Sequence, residues 1–193
     1  MENLEGPEAY RQFGNNPVTF IAFNYDRSLE HFLFISLSSL FQDVPEQEIA
    51  DQIAKIGVHH VYGCVDKLPW QGGGKGYGSR YFFDDINCLK ENIRLIGDRS
   101  NVENIAEIKT EIRRASQMLY LGFAFAPENL QVLGFPALFS NHPGIKIRGT
   151  GMGFTQQETQ RVKNTFMVAL SAGSENRVII DDCDCKMLLR NHL

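Results

Sequence analysis

The sequence predicts an α/β fold with a mostly parallel sheet flanked by helices, and three observations predict it. Two short runs, residues 18–23 (VTFIAF) and 118–125 (MLYLGFAF), are apolar almost without interruption. Strands that read this way are buried on both faces, as in parallel sheets. Segments of helical period stand between the strand-like runs, as the crossovers between parallel strands require. The composition, 43% hydrophobic and 22% charged over 193 residues, is that of one globular domain rather than of a disordered chain.

Each element has a local reason. Residues 1–16 carry no clear period and are expected to be an irregular lead-in, with the α/β domain running over 17–193. The first strand ends at Asn24, Tyr25 and Asp26. Asp26 suits the cap of a helix over 27–41, with Glu30 in its first turn. Leu29, Phe32, Leu33, Leu37, Leu40 and Phe41 lie nearly all round that helix, so it is expected to be largely buried. Pro45 opens a second helix over 45–56, whose inner face is Ile49, Ile53 and Ile56, and Gly57 stops it. Residues 58–65 (VHHVYGCV) alternate loosely as a strand. Residues 66–79 hold five glycines and no period, and predict a mobile loop.

A helix is expected around residues 88–96 and another after an Asn101 cap, with Ile105, Ile108, Ile112 and Ala115 inward. The second buried strand is followed by a short helix or turn at 127–133. A short strand at 145–148 leads into Gly149-Thr150-Gly151-Met152-Gly153. Thr155 and Glu158 form a capping box for a helix to about Ala172, with Val162, Phe166, Ala169 and Leu170 inward. A strand at 178–180 and a helix after Cys183 close the chain.

Composition excludes several functions. With 23 acidic and 19 basic residues the formal charge is −4, and the longest basic run is Arg113-Arg114. Binding to nucleic acid through phosphates is not expected. The longest strongly apolar stretch, 32–41, is interrupted by serines and too short to span a membrane. The N-terminus is polar and acidic, and the four cysteines do not make a disulfide framework, so reduced thiols in a cytoplasm are expected.

In a parallel α/β sheet, ligands bind at the carboxyl ends of the strands. Those positions hold Asn24 and Asp26, which could hold a ribose or a water or could merely turn the chain into a helix. They also hold His60, Tyr62 and Gly63 after the second strand, Gly122 and Phe123 in the third, and Thr150 and Gly151 after the fourth. His60 could be a general base, and equally a satisfied imidazole. The Gly-rich 71–78 (QGGGKGYG) fails the phosphate-loop spacing because Gly76 follows Lys75. Residues 181–185 (DDCDC) bring two thiols without a second pair elsewhere, so no metal is expected.

The order of these motifs resembles the sirtuin-like domain of bacterial anti-phage and abortive-infection proteins. FNYDRSLE (23–30), a strand ending in Tyr62-Gly63, the Leu121-Gly122-Phe123 segment, and GTGMG before Thr155–Glu158 fall along 17–172 in the family's sequence. The resemblance implies a Rossmann-like sheet that binds NAD and, in active members, cleaves its nicotinamide–ribose bond. It implies that Asn24 holds the ribose and a water, that Asp26 supports the turn, and that Gly63, Gly122 and Phe123 line the cofactor. Thr150 and Gly151 would lie toward the adenosine. Catalytic candidates are then Asn24, His60 and Tyr62. Two departures stand out: Tyr62 replaces the family's histidine, and no Gly-Ala-Gly-x-Ser strand and loop precedes Val18, so the first β–α unit is expected to be missing. An inactive relic or accessory subunit is the alternative, with a protein partner or self-association at an uncovered sheet edge.

Overall fold

The apolar run after Pro17 forms strand β1 (Thr19–Ala22), and the segment after Gly57 forms β2 (Gly57–His60). They pair in parallel, from Thr19 against Gly57 to Ala22 against His60. The computed structural model describes residues 6, 8–80, 92–93, 104–142, 144–170 and 175–193. The chain divides into two units, Met1–Asn104 and Ile105–Leu193. Its architecture is α/β, with two small parallel sheets flanked by helices: β1-β2, and a three-stranded sheet of order β3-β4-β5.

In the first unit, α2 (Ser28–Leu40) and α3 (Glu46–Ala54) make the crossover between β1 and β2. Their core joins Phe34 and Leu37 of α2 to Ile49, Ala50 and Ile53 of α3. Helix α2 is less buried than its apolar content predicts. Phe32 and Leu40 are each 68% exposed, because only the Glu30, Phe34 and Leu37 side is covered. Within the expected irregular lead-in, Tyr10–Phe13 makes one helical turn, α1. Its Tyr10 is buried in the same core and donates its hydroxyl to Glu48. Strand β2 is shorter than the predicted 58–65, since Val61 and Tyr62 form a turn.

In the second unit, α4 (Ile105–Arg114) precedes β3 (Gln117–Tyr120), and the short α5 (Pro127–Val132) and α6 (Ala137–Ser140) lead to β4 (Lys146–Thr150). Helix α7 (Gln156–Leu170) crosses to β5 (Val178–Asp181), and α8 (Cys185–His192) follows. The predicted capping box forms: Thr155 donates its N–H and hydroxyl to Glu158 at 2.8 Å each, and the Glu158 N–H returns to the Thr155 hydroxyl at 3.2 Å. Asp184 caps α8 by accepting from the Met187 N–H at 2.7 Å.

The third strand stops five residues short of the predicted end because Gly122 (φ 60°) and Phe125 (φ 55°) leave the extended region. A left-handed phenylalanine is strained, and rings hold it there. Phe125 meets Tyr120, Phe123, Phe154 and Phe166 at centroid distances of 5.3–6.3 Å. Gly149 makes room for it, since a Cβ there would lie 2.8 Å from the Phe125 ring and 2.9 Å from Ile180. The helix expected around 88–96 falls largely outside the described residues, as do the Asn101 cap and the last turn expected near Ala172. Among the described residues no helix is long and apolar enough to cross a membrane.

Candidate functional site

The carboxyl ends of β1 and β2 bring Asn24, Asp26, His60, Tyr62 and Gly63 into one unit. The parallel register sets the end of β1 beside His60, with the Val61 N–H bound to the Ala22 carbonyl at 2.9 Å. The His60 Nδ1 lies 3.0 Å from the Asn24 carbonyl oxygen, and its Nε2 lies 2.7 Å from Glu30 Oε1. Both side chains are deeply covered, with 10% of His60 and 6% of Glu30 exposed. Burial by itself lowers the His60 pKa. The bonds to Glu30 and Asn24 and the charges of Glu30 and Asp26 outweigh it, and the net shift is upward.

Asp26 is not the cap expected of it, since Arg27 is the N-cap of α2, but it fixes the turn just before the helix. Its Oδ1 accepts the Ser28 N–H at 2.9 Å, and its bonds to Ser28 hold its carboxyl below the usual carboxylate range. Asn24 and Asp26 are exposed. Tyr62 is not: it is 6% exposed and packs against Phe23 edge-on at 5.9 Å and against Tyr25 at 6.4 Å. Gly63 has a φ of 79°, and a Cβ on it would sit 1.8 Å from the Asn92 carbonyl oxygen, so the position admits only glycine.

Two residues of FNYDRSLE were not among the predicted site residues. Glu30 is buried under His60, and its Oε2 is buried without a hydrogen-bond partner among the described residues. Arg27 is 5% exposed and donates Nη1 to the carbonyls of Lys67 (2.9 Å) and Lys75 (2.8 Å). The sequence signal was a charged residue on either side of a helix start, which ordinarily means a solvated first turn.

Through Arg27 the Gly-rich loop is tied down rather than free. Asp66 accepts the N–H groups of Lys67 (2.7 Å) and Lys75 (3.2 Å). Trp70 stacks on Phe34 at 5.1 Å, Tyr77 stacks on His31 at 4.3 Å, and the Tyr77 and Ser28 hydroxyls are 2.8 Å apart. Cys64 is half-buried, and burial pushes its thiol up, which makes a reactive thiolate unfavourable.

Gly122, Phe123, Thr150 and Gly151 fall in the second unit, at the carboxyl ends of β3 and β4. The Gly122 N–H donates to the buried Thr150 hydroxyl at 2.9 Å, and the Gly151 N–H donates to the Asp181 carbonyl at 2.6 Å. Phe123 packs on Tyr120 at 5.2 Å. The N-termini of α7 and α8 at this edge are satisfied by the chain's own carboxylates, Glu158 and Asp184, so a phosphate would meet like charge there. Desolvation and the neighbouring Asp181, Asp184 and Asp182 push the Cys183 thiol up. No group of three or more His, Cys, Asp or Glu able to hold a metal occurs among the described residues.

Compared with known proteins, the chain matches no family model, no curated protein and no solved structure.

Proposed function

We propose that this chain is a sirtuin-like, NAD-binding protein of bacterial anti-phage defence, with Asn24 as its essential polar group. The observation that carries the reading is the Asn24–Asp26 turn, exposed at the carboxyl end of β1 and braced by His60. Exposed polar groups after a parallel strand, beside a helix start, are where such sheets take nucleotides.

The reaction that fits is hydrolysis of the nicotinamide–ribose bond. Water adds to the anomeric carbon, nicotinamide leaves with the bonding pair, and one proton goes to solvent. The oxocarbenium-like centre is electrophilic enough that placement of ribose and water supplies much of the rate. Asn24 does the placing, and Asp26 fixes the turn through Ser28.

A second reading, an accessory form that keeps the fold without hydrolysis, is favoured by Tyr62. It stands where the family has a histidine, it is buried among rings, and a phenol is a poor base at neutral pH. Nicotinamide release from NAD by the purified chain separates the two readings. Turnover that Asn24→Ala abolishes supports hydrolysis, and NAD binding without turnover supports the accessory form.

A further inference from the structure

We propose that Glu30 and His60 form a positioning clamp for Asn24, in which His60 is an imidazolium donating both of its ring N–H groups. The hydrogens available at the two ring nitrogens decide its protonation. The Asn24 carbonyl 3.0 Å from Nδ1 has no hydrogen to give, so Nδ1 must carry one. Glu30 Oε1 lies 2.7 Å from Nε2, and a bare nitrogen lone pair against a carboxylate at that distance is repulsive. A second proton therefore sits between them, and it resides on the imidazole, the more basic partner.

The surroundings fit that count. Glu30 faces His60 from α2 and Asp26 faces it from the turn, both acidic. Glu30 also acts on the Cys64 thiol, which in turn feels the Arg27 guanidinium and Asp66. Arg27 spends Nη1 on the carbonyls of Lys67 and Lys75, and the other Glu30 oxygen is buried without a partner among the described residues. Loss of the proton would leave a buried carboxylate facing a lone pair on one oxygen and nothing on the other, which is costly.

The consequence is a role for His60 that its sequence position does not suggest. It has no free lone pair and so is not the general base. It joins β2 to α2 and to the end of β1, and only while protonated does it tie the turn bearing Asn24 to Glu30 of α2 through both ring N–H groups. The effect on a ligand rests on the NAD reading above, whereas the proton count does not.

Nitrogen-15 spectra of the histidine rings in the full chain, followed with pH, test the count. Both His60 ring nitrogens are expected to be protonated at neutral pH and to lose one proton only above the ordinary histidine range. The Asn24 carbonyl carbon is expected to shift with the same midpoint. Glu30→Gln is expected to move that midpoint to lower pH, since burial remains and the carboxylate is gone. A neutral His60 at neutral pH, or an Asn24 carbonyl that does not follow its titration, overturns the clamp; both are read on the unaltered chain, so they stand even if Glu30→Gln does not fold. NAD affinity that falls as pH rises through the His60 midpoint supports the positioning role, and affinity flat across it overturns that role. No NAD binding at any pH counts against the NAD reading and leaves the clamp to be decided by the spectra.

Discussion

The two strand-end regions of this chain are held by opposite means. In the first unit the turn after β1 is fixed by buried charge: Arg27 on two carbonyls, and Glu30 on His60. In the second, the turn after β3 is fixed by rings, with Tyr120, Phe125, Phe135 and Phe139 gathered round Phe166 at 5.5–6.1 Å. Apolar packing is indifferent to proton concentration and sensitive to volume, whereas hydrogen-bonded charge is the reverse. The first region is therefore the one that a change of pH can adjust, and the second the one that a change of side-chain volume disturbs most.

The comparison can be broken most forcefully at Phe166, which is fully buried. Phe166→Ala is expected to cost about 3–5 kcal/mol of stability with little dependence on pH, measured by denaturant unfolding at two pH values. Next is Arg27→Met. It keeps the apolar bulk but removes the charged donor to the Lys67 and Lys75 carbonyls, at a cost of roughly 2–3 kcal/mol. Limited proteolysis is expected to cut residues 66–79 faster in that variant while the second unit stays intact. Equal protection of the loop in variant and wild type would remove Arg27 as its anchor.

Thr155→Ala, which deletes half of the capping box, is expected to cost about 1 kcal/mol in the second unit alone. The smallest effect is that of pH. The His60 pKa is raised by its partners, so its contribution is fully present below the ordinary value of 6.5 and is lost as pH rises through the folded-state value. Unfolding free energy is expected to decline over that interval in the wild type and not in Glu30→Gln.

What was legible in the sequence was what is local. The capping box of α7 was readable because it needs only the next three residues, whereas the cap expected at Asp26 falls one residue early: Arg27 is the N-cap of α2, and Asp26 accepts the Ser28 N–H from outside it. The positions of β1 and β3 were readable from nearly uninterrupted apolar runs, although most of their residues are only half-buried. The burial of α2 was misjudged since an apolar residue such as Phe32 does not announce which face of its helix meets the core. Arg27 and Glu30 escaped notice because their partners lie 30–48 residues away, at His60, Lys67 and Lys75. Gly63 was noticed, but not its reason, which is the approach of the Asn92 backbone. The early end of β3 is set by an aromatic cluster that only the folded chain assembles.

The central claim is that the turn bearing Asn24 binds NAD. Calorimetric titration of the full chain with NAD tests it most directly, beside an Asn24→Ala variant whose unfolding transition matches the wild type. The account predicts a saturable binding heat for the wild type that is lost in the variant. Absence of binding by the wild type, or equal binding by both, would contradict it.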